Sequence, residues 1–257
     1  MLDLKQIEAF YPDHLKPFKR NIMREYLQYK VLSVIFDSKF GHKLAFMGGT
    51  ALRIIYDHNR FSEDLDFDNL GLDRFEFGQM TDLIKRKLEQ EGYIVEIKNV
   101  FKGAYRCYLK INKVLYDLGL SGYKEEKLLI QIDTEPQNFN YEPTFIILNK
   151  FDVFLRIRFV PIDILLSQKL YAILHRKRSL GRDFYDTVFL FGRAKPNFKY
   201  LQQKISVKDI ASLKKKMLLK CKTLDFKRLT KDVEAFLFNP DDIKKILYFT
   251  DFINGLQ

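Results

Sequence analysis

The chain has 257 residues, 47% of them apolar, which is enough for one large domain or two modest ones with a full hydrophobic core. Its net charge of +11 favours a polyanionic partner, nucleic acid above all, although a lysine-rich surface also serves solubility. Two cysteines, Cys107 and Cys221, are too few for a disulfide framework or a cysteine zinc site, and no apolar run is long enough to cross a bilayer. We therefore expect a soluble cytoplasmic protein with no membrane partner.

The first predicted elements are helices, followed by a strand, a turn and a further helix. Apolar side chains recur at helical spacing between residues 22 and 35. Residues 43–47 form a short apolar run that predicts a strand, and Gly48 and Gly49 follow it as a turn. Thr50 then stands where it can cap the next helix.

The strand predicted after this helix carries two aspartates. Asp64 and Asp66 alternate with the apolar residues Leu65 and Phe67. Carboxylates two residues apart on a strand point to the same side, where they can hold one hard cation such as Mg²⁺. Acids on an exposed strand are often merely solvated, so the pair alone is a weak motif. Its place after a strand, a glycine turn and a helix favours a metal site for phosphoryl or nucleotidyl transfer.

The residues around this acid pair predict a phosphate-binding site. Gly48 and Gly49 permit close backbone approach at a strand-to-helix junction, where free N–H groups bind phosphate, although two glycines also form ordinary tight turns. Thr50 can cap the helix, donate its hydroxyl to a phosphate, or do both. Arg60 either pairs with the acids or holds a triphosphate oxygen, and Ser62 is a further candidate for the nucleotide site.

A third carboxylate is predicted farther along the chain. The pattern predicts a helix at 75–90, strands at 93–100, 104–111, 128–133 and 154–159, and a loop at 134–144. In one of these strands, Gln131 and Asp133 face away from the apolar side chains. Asp133 can therefore bind a metal or take the proton from an attacking hydroxyl, or it can simply cap the next turn.

Helices are predicted for the rest of the chain, with Pro161 in the first turn of one of them. We therefore predict a catalytic domain with N-terminal helices over residues 1–160 and a helical domain over residues 161–257. From Lys199 to Lys231, eleven Lys or Arg residues stand against two Asp. This basic region is expected to bind the phosphate backbone of a nucleic acid.

A cluster of charged residues occupies the first two helices of the helical domain. Lys169 and Arg176 are seven residues apart and share one helical face, while Asp183 and Asp186 share a face of the following helix. A lysine near a triphosphate offsets the charge that develops on the leaving group, and Asp183 could orient it. The simpler interpretation is a salt-bridge network that joins two helices.

Four segments in order resemble the motifs of the AbiEii/AbiGii toxin family, nucleotidyltransferase-like proteins of abortive-infection and toxin–antitoxin systems. The segments are residues 47–53 (MGGTALR), 60–67 (RFSEDLDF), 169–176 and 182–186. The resemblance spans about two thirds of the chain, and four motifs in order are specific where any one would not be. The basic C-terminal helices match only in general character.

The resemblance implies a polymerase-β-like domain followed by a helical domain, with an NTP as donor and Mg²⁺, or Mn²⁺ in its place, as cofactor. Asp64 and Asp66 take the metal role by position, and Lys169 and Asp183 take roles in nucleotide binding and catalysis. Gly48, Gly49 and Thr50 correspond to the phosphate cradle, and Arg182 and Asp186, in the last motif, are expected to bind the nucleotide. Asp133 lies outside all four motifs and is kept as a predicted third metal ligand.

The combined prediction is an α+β protein with a mixed sheet flanked by helices and a C-terminal helical domain that contributes Lys169 and Asp183 to the site. The expected reaction transfers a nucleoside monophosphate from an NTP to a hydroxyl, which is nucleotidyltransferase chemistry of the EC 2.7.7 type. Some members of the family resemble toxins that add nucleotides to the 3′ end of tRNA and block translation, so we expect tRNA as acceptor and a cognate antitoxin, although the resemblance does not fix the acceptor. The alternatives are a protein or small-molecule acceptor, or a non-catalytic module that binds nucleic acid.

Overall fold

The computed structural model describes residues 2–256, and the chain divides after Val160 into two compact units. The first unit contains all the strands of the described chain, and the second consists of helices joined by short connections. No helix among the described residues is both long enough and apolar enough to span a membrane.

The described part of the first unit contains seven strands in one mixed sheet, ordered β3-β4-β5-β2-β1-β7-β6. The strands are β1 (Leu44–Met47), β2 (Leu65–Asn69), β3 (Ile94–Lys102), β4 (Ala104–Asn112), β5 (Leu128–Glu135), β6 (Thr144–Lys150) and β7 (Val153–Phe159). The pairs β2–β5 and β1–β7 are parallel, and the other pairs are antiparallel. Strand β6 was not predicted, and its first residue occupies the end of the expected loop at 134–144.

Helices cover one face of this sheet. They are α1 (Leu4–Glu8), α2 (Lys19–Phe36), α3 (Gly48–Tyr56), α4 (Arg74–Gln90) and the short α5 (Val114–Asp117). The Phe67 ring of β2 contacts Phe36 of α2 and Phe46 of β1, with centroids 6.1 and 5.4 Å away. Because Phe46 and Phe67 are fully buried, the core of this unit lies between α2 and the centre of the sheet.

The register of the central strands places the acids on the opposite face. Phe46 pairs with Phe67 and with Phe159, so these three side chains share the helix-covered face. The next position, Met47, pairs with Asp66 and therefore lies on the other face. Asp133 pairs with Asp66 across the parallel β2–β5 ladder and belongs to that same face.

The second unit begins with two packed helices, α6 (Ile162–His175) and α7 (Gly181–Phe191). The remaining helices are α8 (Phe198–Ile205), α9 (Ile210–Cys221), α10 (Phe226–Thr230), α11 (Lys244–Leu247) and α12 (Phe249–Asn254). Gly181 starts α7 where a Cβ would overlap the carbonyl oxygen of Leu229, so only glycine permits this approach of α7 to α10.

Candidate active site

The glycine turn and the acid pair meet at the junction of β1, α3 and β2. Gly48 has a φ angle of +79°, which L side chains rarely adopt. A Cβ at this position would overlap Asp66 Oδ2 and would lie 2.8 Å from both the Cβ and the Cγ of Asp66. The turn therefore packs directly against the Asp66 carboxylate, and the absence of a side chain at Gly48 is what makes this contact possible.

Thr50 joins the helix to the other acid. Its side chain is fully buried, and its hydroxyl donates to the main-chain carbonyl of Asp64. The predicted cap at Thr50 is wrong, because α3 begins at Gly48 with Met47 as the N-cap residue and no side-chain cap. The hydroxyl instead fixes Asp64, which lies immediately before β2 rather than inside the predicted strand.

The start of α3 has the chemistry of an anion site. The first N–H groups of a helix have no acceptor within it, and the helix dipole places partial positive charge there. In α3 these groups belong to Gly48, Gly49, Thr50 and Ala51. This end of α3 lies beside Asp66, so a phosphate bound to the helix start would lie close to a cation held by the acid pair.

Arg60 and Ser62 support the glycine turn from one side. A Cβ at Gly49 would lie 2.5 Å from Arg60 Nη2 and 2.7 Å from Ser62 Oγ. Arg60 is only 2% exposed, and its Nη1 donates to the Phe61 carbonyl at 2.9 Å. This burial favours the structural alternative for Arg60, in which its guanidinium stabilises the turn rather than reaching into solvent for a triphosphate.

Helix α2 holds the segment that leads into β2 through the side chain of Gln28. Gln28 Nε2 donates to the carbonyls of Ser62 and Glu63, at 3.0 and 2.9 Å. Because residues 61–64 belong to no helix or strand, these bonds and the one from Thr50 hold the backbone that leads into β2.

A buried charge cluster ties α2 to α3. Glu25, which is 3% exposed, accepts from Arg53 Nε at 2.9 Å, from Lys150 Nζ at 2.8 Å and from the Tyr11 hydroxyl at 2.9 Å. Burial alone would raise the pKa of Glu25, but the two cations beside it lower that pKa below its ordinary value. Glu25 is therefore an ionised anchor for α3 inside the core.

Asp133 lies next to Asp66 in register, but its carboxylate already has partners. Arg106 Nε donates to Oδ1 at 2.7 Å, and Gln131 Nε2 donates to Oδ2 at 2.8 Å. Among residues 2–256 there is no group of three or more His, Cys, Asp or Glu side chains arranged to hold a metal ion. A metal role for Asp133 stays a prediction, and it requires the ion pair with Arg106 to open.

Asp68 is a structural anchor to which sequence reasoning assigned no role. It lies inside β2, is buried, and accepts from the Tyr141 hydroxyl at 2.7 Å and from the Gln137 N–H at 2.8 Å. Burial and the bond to Asp68 raise the pKa of Tyr141, so this hydroxyl stays protonated as a donor. Asp68 thus anchors the loop that precedes β6, and the D-x-D-x-D pattern of residues 64–68 was the available signal.

The two acids fit a magnesium ion. Mg²⁺ prefers hard oxygen ligands and is commonly held by one or two carboxylates, with substrate phosphates and water completing its shell. Asp64 and Asp66 supply such carboxylates, and the N–H groups at the start of α3, beside Asp66, are donors for a phosphate. The carboxylates and the helix start together suit a phosphate-bound cation.

The charged cluster of the second unit is an ion-pair network between α6 and α7. Lys169 Nζ lies 3.2 Å from Asp183 Oδ1 and 2.9 Å from Asp186 Oδ2. Arg176 Nε lies 3.4 Å from Asp183 Oδ2. Both aspartates are buried, and Lys169 and Arg176 together balance their two charges. Arg182 is placed differently, with its guanidinium 5.4 Å from the Phe236 ring.

Part of the predicted basic region lines a cavity of the second unit. The cavity has a volume of about 450 Å³. Its cationic lining residues are Lys177, Arg178, Lys220 and Arg228. Two carboxylates, Asp225 and Asp232, also line it, and Asp232 lies 3.4 Å from Arg178 Nη2; the four cations leave the cavity net positive, so it can take an anion.

Comparison with known proteins links these features to a family. A family model described as nucleotidyl transferase AbiEii toxin, type IV TA system, matches residues 30–247. The crystal structure of JHP933 from Helicobacter pylori is similar with a TM-score of 0.56 at 17% identity, covering 91% of this chain and 90% of that one. A candidate nucleotidyltransferase of H. pylori has a TM-score of 0.54 at 19% identity, covering 90% of this chain and 93% of that one.

At such identities the solved structures show the fold alone, and they confirm the predicted nucleotidyltransferase-like α+β architecture. A comparison with curated proteins found no match. The family model, which spans most of the chain and includes all four sequence motifs, shows the family directly. The chain belongs to the AbiEii nucleotidyltransferase toxins of type IV toxin–antitoxin systems.

Proposed function

We propose that this toxin transfers a nucleoside monophosphate from an NTP to the 3′ hydroxyl of a nucleic acid, releasing pyrophosphate, with tRNA as the acceptor and a block of translation as the result. The observation that carries the proposal is the contact of Gly48 with the Asp66 carboxylate, which unites a phosphate cradle with a cation ligand. The net charge of +11 and the basic cavity of the second unit support a nucleic-acid acceptor.

Different groups of the first unit bind the phosphates and the cation. The N–H groups at the start of α3 bind the phosphates of the NTP, and the side chains of Asp64 and Asp66 hold Mg²⁺. When bound, the ion supplies charge neutralisation at the α-phosphate and a lowered pKa at the acceptor hydroxyl. Thr50 and Arg60 keep this geometry rigid from within the protein, because both are buried and bonded to the segment that carries the acids.

Two further roles complete the proposal. Asp133 takes the proton of the attacking hydroxyl or binds a second cation, as expected from its position beside Asp66. Lys169 and Asp183 keep the nucleotide role that the family resemblance implies. Membership of a toxin–antitoxin family also implies an antitoxin as partner, encoded to neutralise this activity in the cytoplasm of the same cell.

Labelled nucleotide transfer tests the proposal. The purified protein is incubated with Mg²⁺, each of the four α-³²P-labelled NTPs in turn, and either purified tRNA or whole-cell extract. We expect label in small RNA, its loss when EDTA is added, its return with Mn²⁺, and no label on tRNA whose 3′ diol has been oxidised by periodate. Label in protein, or in small molecules alone, would support the alternative acceptors.

Two matched variants locate the chemistry. Asp66→Asn removes one cation ligand at almost constant shape and is expected to lower transfer by at least about 100-fold. Glu135→Gln makes the same carboxylate-to-amide change at an exposed residue of β5 and is expected to leave transfer unchanged. Transfer that survives in Asp66→Asn, or growth arrest that does not depend on Asp66, would support the non-catalytic binding module instead.

A further inference from the structure

An exposed aromatic and arginine surface covers one side of the β6–β7 hairpin. Phe145 pairs with Arg158, Ile147 with Arg156, and Asn149 with Phe154. Cross-strand partners share a face, so these side chains form one continuous surface. We call it the β6–β7 platform and define it by Phe145, Ile147, Phe154, Arg156 and Arg158.

The apolar members of the platform are unusually accessible. Phe145, Ile147 and Phe154 are 46%, 57% and 72% exposed. The alternate residues of β7, Leu155 and Ile157, are buried toward the helices, so the hairpin already has its own core contact on the other side. Single exposed apolar residues are ordinary, but three together on one strand pair mark a binding surface.

The arginines of the platform are positioned for phosphate and for aromatic bases. The Arg156 guanidinium lies 4.4 Å from the Phe145 ring centroid, and that of Arg158 lies 5.2 Å from it. Arg158 also donates to the main-chain carbonyl of His42. Neither guanidinium has a carboxylate partner within residues 2–256, so the platform carries two uncompensated positive charges.

The platform faces the same way as the acid pair. Phe159 pairs with Phe46 on the helix-covered face, so its neighbour Arg158 points to the opposite face. Met47, the neighbour of Phe46, points the same way and pairs with Asp66. One strand, β1, therefore separates the arginines of β7 from the strand that carries Asp66.

We propose that the platform binds the unpaired nucleotides at the 3′ end of the acceptor, with a base stacked on Phe154 and phosphates bound by Arg156 and Arg158. The inference rests on the proposed function, since it supplies the surface that delivers a 3′ hydroxyl toward the acids. Single strands expose both charged backbone and base faces, whereas a duplex hides its base faces within the stack. The combination of an exposed aromatic ring with arginines that have no carboxylate partner in the described chain therefore fits a single strand.

Binding measured without NTP tests the inference. Fluorescence anisotropy of a fluorescein-labelled, mixed-sequence 12-nucleotide single-stranded RNA gives the Kd of wild type, Phe154→Ala and Phe75→Ala. Base–aromatic stacking predicts that Phe154→Ala raises Kd by at least about fivefold. Phe75, on α4, is 73% exposed and is a matched control, so Phe75→Ala should change Kd by less than about twofold. Because both side chains are exposed, neither variant should shift the thermal unfolding midpoint.

A salt titration tests the arginines. Arg156→Gln should reduce the slope of log affinity against log salt by about 0.7, the value for one phosphate contact on a single strand. An unchanged Kd in Phe154→Ala, or equal affinity for a blunt RNA duplex of the same length, overturns the inference and leaves the platform to a protein partner. A protein that binds RNA through the platform and yet transfers no nucleotide would refute the proposed function alone.

Discussion

Gly48→Ala tests the convergence on which the active site depends. Gly48 has two constraints at once, a positive φ of 79° and contact with the Asp66 side chain. The backbone term alone costs roughly 1–2 kcal/mol for an L residue. The contact term requires movement, because a Cβ at Gly48 would lie 2.8 Å from the Cβ and Cγ of Asp66, whereas ordinary contact begins at 3.4 Å. Asp66 must therefore shift by at least about 0.6 Å, and its Cβ moves only if β2 moves with it.

Gly103→Ala separates the two terms. Gly103, at the tip of the β3–β4 hairpin, has the same φ of 79° and has no heavy atom within 4 Å of a built Cβ. Both variants should therefore lose about 1–2 kcal/mol of unfolding free energy from the backbone. Only Gly48→Ala should slow transfer, by about 10- to 100-fold, because reacting groups displaced by up to 1 Å lose that much rate.

Urea unfolding and single-turnover transfer of an α-³²P-labelled NTP, measured on both variants, provide the comparison. If Gly48→Ala transfers nucleotide within twofold of Gly103→Ala, the approach of the glycine turn to Asp66 has no catalytic value. In that case the cation would have to be held elsewhere.

Three other substitutions probe the supporting framework. Thr50→Val should lower the free energy of unfolding by about 1 kcal/mol and slow transfer roughly tenfold, because the Asp64 carbonyl loses its hydrogen bond from the Thr50 hydroxyl. Thr81→Val removes a buried hydroxyl on α4 and should cost similar stability with no loss of transfer rate. Equal transfer rates in the two variants would refute this role of Thr50. Lys169→Met leaves two buried carboxylates without this partner and should lower the free energy of unfolding, measured by heat or urea, by about 3–5 kcal/mol. Lys169→Arg keeps the charge and should lose less. Equal losses in the two variants would contradict the prediction. Because the pKa of Glu25 is lowered in the folded state, its carboxylate stabilises the fold fully above the ordinary pKa of 4.5, and this stabilisation is lost as the pH falls below that value. Between pH 7 and pH 3 the free energy of unfolding should therefore fall more steeply in wild type than in Glu25→Gln. Parallel curves for the two proteins would refute the assignment.

Local sequence was sufficient for the elements that follow ordinary periodicity. The predicted helix at 75–90 corresponds to α4, and the predicted strands at 43–47 and 104–111 correspond to β1 and β4. The alternation of Ile130 and Ile132 with Gln131 and Asp133 is also confirmed, because the isoleucines are buried and the other two are not. These elements could be predicted because the apolar pattern of each depends only on which of its own side chains face the core.

Strand β6 was missed because its turn carries no turn signal. The hairpin from β6 to β7 passes through Phe151, which adopts a φ of 60° without being glycine or asparagine. Its ring packs against Tyr26 and Tyr29 of α2, with centroids 5.3 and 5.2 Å away. Contacts more than a hundred residues apart in sequence stabilise this conformation, and no local pattern could have shown it.

In the candidate site, too, some features could be predicted from local sequence and others depend on distant contacts. The residue types at Gly48, Asp64 and Asp66 were identified from their spacing, but the burial of Arg60 and Thr50 was not, because an arginine or a threonine carries no sequence signal of where its side chain will lie. The structure shows both side chains buried and bonded to the segment around the acids, and a contact of either with a nucleotide stays a prediction.

Helix α2 explains how a site with so few direct ligands can be rigid. A helix that only covered a sheet would carry apolar residues on its inner face, yet α2 buries Glu25 and Gln28 there. Gln28 donates to the loop that precedes the acids, and Glu25 holds α3 by accepting from Arg53. Buried polar groups are costly unless they are bonded, so these two fix the turn and the acids relative to one framework. The geometry of the candidate site is therefore a property of α2 as much as of the aspartates themselves.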